Sequence, residues 1–313
     1  MNILITGGTG YLGSHLVAKL HKKNNIFILD KTKNASKIEN IKKNLVYYPG
    51  TVDKKNLKKI FKENIIDLVI HFAGVLKQKK NYKYNYSEDL ASTKSLLKFI
   101  KFFKVKYFIY SSSCDVYGNV NVQKIKENQK CKPISSYGKN KLLTEKCIKE
   151  YLKDEKTKYL ILRIFNIIGA DINIVKENFF KKNDLLSNLI SSYKNNKIFK
   201  LYGYDLKTAD GSCVRDYISI QKFVQIVKKL ILKIHLISSS TINIGSSFGI
   251  SNLDMINKVE RNFKIKIVYK KLKKRKKDPT YLVANNLKVK KLLKLKNKFF
   301  KKDKIFKYFN KII

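Results

Sequence analysis

Arginine is nearly missing from a strongly basic chain: only four of its 68 basic residues (Arg163, Arg215, Arg261 and Arg275) are arginine, against 23 acidic residues. Proteins that grip a phosphate backbone favour arginine, whose planar guanidinium holds two oxygens at once. Here the lysines run along the whole chain beside abundant Asn and Ile, and tryptophan is absent. That pattern follows AT-rich codons, so the formal charge of +45 reads as compositional bias and not as a specific nucleic-acid interface. Cysteine is sparse too. Cys114, Cys131, Cys147 and Cys213 form no CxxC pair and no His/Cys set at zinc spacing, which argues against a metal site or redox motif; they read as small buried or half-buried thiols. No apolar run approaches the roughly 20 residues that a membrane span needs. Residues 1–8 have no basic segment leading into an apolar one, so no secretory leader is read and cytoplasm is the expected compartment. There is no internal repeat.

What is present is the composition of a folded protein, 44% hydrophobic and 12% aromatic. Short apolar runs alternate with lysine-rich amphipathic stretches, the rhythm of βαβ units. Strands are predicted over 2–6, 26–29, 45–48, 67–72, 107–111 and 159–165, with helices over 11–23, 54–63, 88–103 and 137–152. The strands are apolar on both faces, as parallel strands covered by helices on each side are. The expected fold class is therefore α/β, a doubly wound parallel (Rossmann) sheet. Beyond Asn166 the rhythm becomes irregular, with helices over 184–193, 221–234 and 252–260 and strands over 199–202, 241–244 and 265–269. This predicts a dinucleotide-binding domain over 1–166, then a smaller α+β substrate-binding region over 167–313, some of whose chain returns to the sheet. Residues 270–277 read as a solvated basic loop, and the tail from Lys288 as helical.

The turn Gly7-Gly8-Thr9-Gly10-Tyr11-Leu12-Gly13 follows the first strand and opens a helix. Gly7 permits the tight turn, Gly10 lets a pyrophosphate approach the backbone, and Gly13 lets helix and strand pack closely. The helix N-terminus then offers free N–H groups and its dipole to the phosphate. Asp30 ends the next strand, 20 residues beyond Gly10, where a carboxylate accepts from a ribose 2′-hydroxyl and repels a 2′-phosphate. NAD is the expected cofactor.

Tyr137 and Lys141 stand one helical turn apart in Tyr137-Gly138-Lys139-Asn140-Lys141. A phenol with a pKa near ~10 is a poor base at neutral pH; a neighbouring ammonium and an oxidised nicotinamide both favour its phenolate. Ser113 follows a strand, in Ser111-Ser112-Ser113-Cys114-Asp115-Val116-Tyr117-Gly118, and offers a hydroxyl that could relay a proton to Tyr137. Glycine turn, serine-rich strand end and YxxxK, in this order, resemble the extended short-chain dehydrogenase/reductase family. The resemblance implies that Tyr137 is the acid/base, that Lys141 lowers its pKa and binds the nicotinamide ribose, and that Ser113 assists. It extends to His71-Phe72-Ala73-Gly74 near the cofactor and to Arg163-Ile164-Phe165-Asn166 near the substrate. Implied cofactor contacts are Gly7, Gly10, Tyr11, Leu12, Gly13, Asp30, Thr51, Val52, Phe72, Ala73, Gly74, Tyr137, Lys141 and Phe165.

Within that family, Thr208-Ala209-Asp210-Gly211-Ser212-Cys213-Val214-Arg215-Asp216-Tyr217-Ile218 is similar to a segment of the UDP-glucose 4-epimerases. This implies interconversion of UDP-galactose and UDP-glucose through a transient 4-keto sugar and bound NAD. Arg215 and Arg275 would hold the pyrophosphate, Asp278 the uridine ribose, and Ser113 and Asn166 the sugar nucleotide; a surface Arg215–Asp216 pair is the plainer reading of that arginine. Homodimers are implied as well, through the helices over 88–103 and 137–152. Several family positions are altered. Thr51 stands where an acidic residue is usual, with Asp53 as a substitute; Leu76 stands where a lysine is usual, with Lys77 beside it. Asp89 replaces an asparagine, Ile164 an aromatic, and Asn183-Asp184-Leu185 stands for an Asn-Leu segment. Asp115 is a partial echo of the Asp-Glu pair of 4,6-dehydratases, which keeps dehydratase and decarboxylase relatives as alternatives. A non-catalytic NAD- or nucleic-acid-binding protein is the rival from another class. No metal is expected.

Overall fold

A computed structural model describes residues 1–31, 44–74, 86–170, 184–275 and 278–301. Two compact units share the chain by turns: Met1–Val116, Ser135–Arg163 and Val224–Ile242 form the first, and Tyr117–Ile134, Ile164–Phe223 and Asn243–Ile313 the second.

In the first unit β1 (Asn2–Thr6), α1 (Tyr11–Leu20), β2 (Asn25–Asp30), β3 (Leu45–Pro49), α2 (Lys54–Glu63), β4 (Leu68–His71), α3 (Tyr86–Phe102), β5 (Tyr107–Ser113), α4 (Ser136–Tyr151) and β6 (Lys158–Ile164) follow one another. The chain goes on through β7 (Asn166–Ile168), α5 (Leu185–Lys194), β8 (Phe199–Tyr202), β9 (Val214–Ser219), α6 (Ile220–Lys233) and β10 (Ser240–Ile244). Seven strands form one sheet in the order β10-β6-β5-β4-β1-β2-β3. The pairs β1–β2, β1–β4, β2–β3 and β4–β5 are all parallel. The strand order reverses beside β1, which has β2 on one side and β4 on the other. The doubly wound sheet is thus present, and such a reversal leaves a crevice at the strands' carboxyl ends.

Local sequence explains the elements. In α2, Leu57, Ile60 and Phe61 fall on one face and are buried, while Asp53 caps the N-terminus by accepting from Asn56 N–H. That face packs with Leu4, Leu29, Val69 and Phe108 of the sheet and with Leu96, Leu97 and Ile100 of α3 in one core. Segment 241–244, expected in the smaller region, is instead β10 at the edge of the main sheet. Its Ile242 and Ile244 are fully buried there.

The second unit holds β11 (Gly249–Ser251), α7 (Asn252–Phe263), β12 (Tyr269–Leu272), β13 (Tyr281–Leu282), α8 (Leu287–Leu293) and α9 (Lys298–Lys301). β9 pairs with β7, β11 and β13, and β12 lies parallel to β8. Its core gathers Ile168, Leu186, Leu189, Tyr217, Met255, Ile256 and Ile267. The strand expected over 265–269 begins only at Tyr269. Lys264 ends α7 in the left-handed conformation, and Ile265 N–H turns back to Glu260 O, so the next residues leave the helix as irregular chain. The basic stretch expected to be a loop therefore starts as the end of β12, with Lys270 and Lys271 exposed. Among the described residues no helix is long and apolar enough to cross a membrane.

Candidate active site

The glycine turn sits at the end of β1. Gly7 adopts φ 70° and donates its N–H to Leu29 O, tying the turn to β2. A Cβ on Gly7 would lie 2.7 Å from Ala73 N, and one on Gly13 would lie 2.3 Å from Gly7 O. Both contacts are with backbone, so only glycine fits. Gly10 begins α1 with no side-chain cap, and Tyr11 and Leu12 form the first turn. Thr9 is 1% exposed, and its Oγ1 is buried without a hydrogen-bond partner. An open helix N-terminus beside an orphaned hydroxyl suits a phosphate ligand. Asp30 Oδ2 accepts from Thr9 N–H at 3.0 Å, which joins the acidic strand end to the turn. The residues present fit NAD.

Beyond β4, Phe72 and Ala73 both donate N–H to Thr6 O and so lie against the turn. His71 bonds Thr6 Oγ1 through Nδ1 at 2.6 Å and Thr93 Oγ1 through Nε2 at 3.1 Å. Burial, helped by the Lys141 charge, lowers its pKa to about 3, so this imidazole is neutral. Thr51 and Val52 stand between β3 and α2, where Thr51 Oγ1 donates to Asp53 at 2.7 Å. Asp53 also receives Asn56 N–H and the Asn56 amide. Its carboxylate is thus engaged as the cap of α2.

Tyr137, Lys141 and Ser113 come together. Ser135 caps α4 by accepting from Gly138 N–H at 3.0 Å, which sets the first turn carrying Tyr137. Ser113 ends β5 and is hydrogen-bonded to Tyr137. Lys141 Nζ donates to Ser111 O at 2.9 Å and lies 5.8 Å from the centre of the Tyr137 ring. Burial pushes the Tyr137 phenol above its ordinary value, Asp115, Cys114 and Asp89 add to the rise, and the Ser113 hydrogen bond opposes it. Burial lowers Lys141 to about 8, with Asp89 and Glu145 working against the fall. At neutral pH this places a protonated phenol beside an ammonium.

One set of residues was not visible as a unit in the sequence. Glu145, one turn after Lys141, forms a buried ion pair with Arg163 of β6, and Ser112 Oγ donates to the same carboxylate at 2.5 Å. The Arg163 guanidinium, which begins the segment expected near the substrate, is therefore committed inside the first unit. The helical spacing of Lys141 and Glu145 was the only available signal.

In the second unit Phe165 is buried and leans on Tyr117, with ring centres 6.4 Å apart. Asn166 Nδ2 donates to Asp216 O at 3.1 Å. Arg215 on β9 donates through Nη1 to Val214 O and Thr280 O. Arg275 stacks its guanidinium 3.9 Å from the Tyr202 ring centre, and Asp278 N–H reaches Arg275 O. The Cys213 thiol feels the charges of Arg215, Asp278 and Lys274, which places these groups in one neighbourhood. Asp216 is fully buried and accepts from Ser246 N–H and Oγ, Ser247 N–H and Ala284 N–H. This excludes a surface Arg215–Asp216 pair. Asp184 caps α5 through Ser187 N–H, and Ile164 is buried at the end of β6. Leu76, Lys77 and Asn183 lie outside the described residues. Among the described residues no group of three or more His, Cys, Asp or Glu could hold a metal ion.

Residues 3–245 match the family model for the NAD dependent epimerase/dehydratase family. A UDP-glucose 4-epimerase of Lactobacillus helveticus is 31% identical over 95% of this chain and 92% of its own length. The UDP-arabinose 4-epimerase 1 of Arabidopsis thaliana is 30% identical over 86% of this chain and 69% of its own. The crystal structure of UDP-glucose 4-epimerase from Bifidobacterium longum in complex with NAD+ and UDP superposes with a TM-score of 0.84 at 28% identity, covering 99% of this chain and 98% of that one.

Proposed function

The chain belongs to the NAD dependent epimerase/dehydratase family, and we propose that within it the protein is a UDP-glucose 4-epimerase, interconverting UDP-galactose and UDP-glucose. The observation that carries this reading is the meeting of Ser113, Tyr137 and Lys141 in the same unit as a glycine turn built for a pyrophosphate. The turn and the first turn of α1 would hold the NAD pyrophosphate, Asp30 a ribose hydroxyl, and Lys141 the nicotinamide ribose. When bound, NAD would supply a hydride acceptor for the sugar's C4 and, in its reduced form, a hydride donor.

The protein's own task is proton transfer. Tyr137 takes the proton from the C4 hydroxyl, directly or through Ser113, and returns it when the alcohol re-forms. Such a positioned acid/base contributes about 10²–10⁴-fold to rate. Arg215 and Arg275 would grip the UDP phosphates, and Asp278 the uridine ribose, so that binding far from C4 anchors the sugar while it turns. A cytoplasmic homodimer is part of the same proposal. Cys114, Cys131, Cys147 and Cys213 form no disulfide, which suits a reducing compartment, and Leu143 is 53% exposed on α4. Sedimentation at a single chain's mass would refute the dimer.

The test is incubation of the purified protein with UDP-galactose, without added NAD, with UDP-glucose followed by chromatography. Conversion is the expected result, since the cofactor is regenerated in each cycle. No conversion with or without added NAD would overturn the reading, and turnover of UDP-arabinose alone would move it to the pentose relatives.

A further inference from the structure

We propose that Asp89 is a positioning residue for Lys141, its carboxylate setting the place and charge of the ammonium beside Gly74. The inference rests on the functional reading above only in giving Lys141 a role. Four observations carry it. First, a Cβ built on Gly74 would lie 3.3 Å from Asp89 Oδ2 and 3.6 Å from Lys141 Nζ, so both charged groups converge on one point. Second, Gly74 adjoins Ala73, whose N–H bonds Thr6 O at the base of the turn. Third, the carboxylate is aimed: Asn140, the neighbour of Lys141 on α4, donates its amide to Asp89 Oδ2 at 3.3 Å. Fourth, the backbone carrying it is fixed, because Ser92 and Thr93 hydroxyls both donate to Asp89 O at 2.9 Å, and Thr93 in turn meets His71.

The groups facing Lys141 leave Asp89 a distinct part to play. Ser111 offers only a carbonyl, and Tyr110 a ring whose centre is 4.8 Å away. His71 is neutral, and Tyr137 is protonated. Two carboxylates act on Lys141, Asp89 and Glu145. Glu145 is spent on Arg163 and Ser112. Asp89 thus supplies much of the negative charge that keeps a buried lysine protonated near neutral pH. The same carboxylate also raises the Tyr137 phenol, so the two catalytic groups are tuned by one neighbour.

The test reads Lys141 directly. Full-length wild-type protein and Asp89→Asn are acylated with a trace of acetic anhydride across a pH series, and modification of Lys141 is quantified by mass spectrometry against exposed Lys139. The midpoint of the normalised curve does not depend on how accessible the amine is. Removing one nearby charge should lower the Lys141 midpoint by roughly one unit from about 8, giving about fivefold more modification at neutral pH, with Lys139 unchanged. The ¹³Cε resonance of Lys141, identified as the signal missing from Lys141→Met, gives the same midpoint without chemical access. A midpoint in Asp89→Asn equal to wild type overturns the proposal. Absence of UDP-galactose turnover by the wild type would sink the functional reading and leave this outcome standing.

Discussion

Replacing Arg163 by methionine should destabilise the fold by about 3–5 kcal/mol, the usual consequence of leaving one member of a buried ion pair alone. The structure sets that magnitude. The two side chains are 5% and 1% exposed, and Arg163 meets Glu145 through Nε at 3.0 and 3.2 Å and through Nη2 at 2.7 Å. Without the guanidinium, the carboxylate keeps the Ser112 hydroxyl as a partner in a site closed to water. Glu145→Met strands the guanidinium in the same way. The double variant buries neither charge and fills the space with apolar side chains, so it should recover most of either loss. The assay is urea unfolding of all four proteins, followed by circular dichroism and fitted with a common slope. A coupling energy below about 1 kcal/mol, or a double variant that loses the sum of the singles, would refute the reasoning.

Tyr137→Phe should lower turnover by about 10²–10⁴-fold while the circular dichroism spectrum and bound NAD stay as in the wild type; retained turnover would remove Tyr137 from the mechanism. Gly13→Ala places a methyl 2.3 Å from Gly7 O and 2.7 Å from Gly8 Cα, so α1 must move off the turn. NAD affinity should fall roughly tenfold or more, as calorimetry would show, and an unchanged affinity would mean that the turn does not hold the cofactor. His71 titrates near 3 when folded and near 6.5 when unfolded. Its contribution is full above the unfolded value and is lost as pH falls below it, by about 1.4 kcal/mol per pH unit. His71→Asn should flatten that part of the stability curve between about pH 5 and about pH 7, and an equal slope in both proteins would count against a buried neutral imidazole.

The first unit was legible because its elements answer to local rules. β1 reads as a strand in Ile3-Leu4-Ile5 and is buried through those residues. The bounds of α2 follow from an apolar stripe and a capping aspartate that sit within a few residues of each other. Gly10 and Gly13 were legible for the same reason, since the contacts that exclude a side chain there come from Gly7 and Gly8, whereas those at Gly7 come from Phe72 and Ala73. What stayed hidden depends on partners far along the chain. β9 carries Asp216, which the alternative reading of Arg215 paired with that arginine at the surface, yet Asp216 takes four hydrogen bonds from segments 30 or more residues away. Arg163 was given no partner by the sequence, and Glu145 stands 18 residues earlier on α4. Charged residues look alike in sequence whether they face water or a buried partner, and burial alone distinguishes them.

The charges around Tyr137 carry the last step. Lys141 and the Ser113 hydroxyl favour its phenolate, whereas burial, Asp115, Cys114 and Asp89 favour the phenol. In the protein alone the second group prevails, since the phenol is pushed above its ordinary value of 10.0. Tyr137 therefore rests as an acid and becomes a base only if positive charge is added nearby, as an oxidised nicotinamide would add it. Ionisation and binding are then linked: a cationic ligand that favours the phenolate must itself bind more tightly as pH rises toward that titration. The acidic neighbours Asp89 and Asp115 raise the pH range in which this dependence is felt above what neutral residues would give. They hold the proton on Tyr137 until the site is occupied, and in doing so they tie base strength to cofactor occupancy.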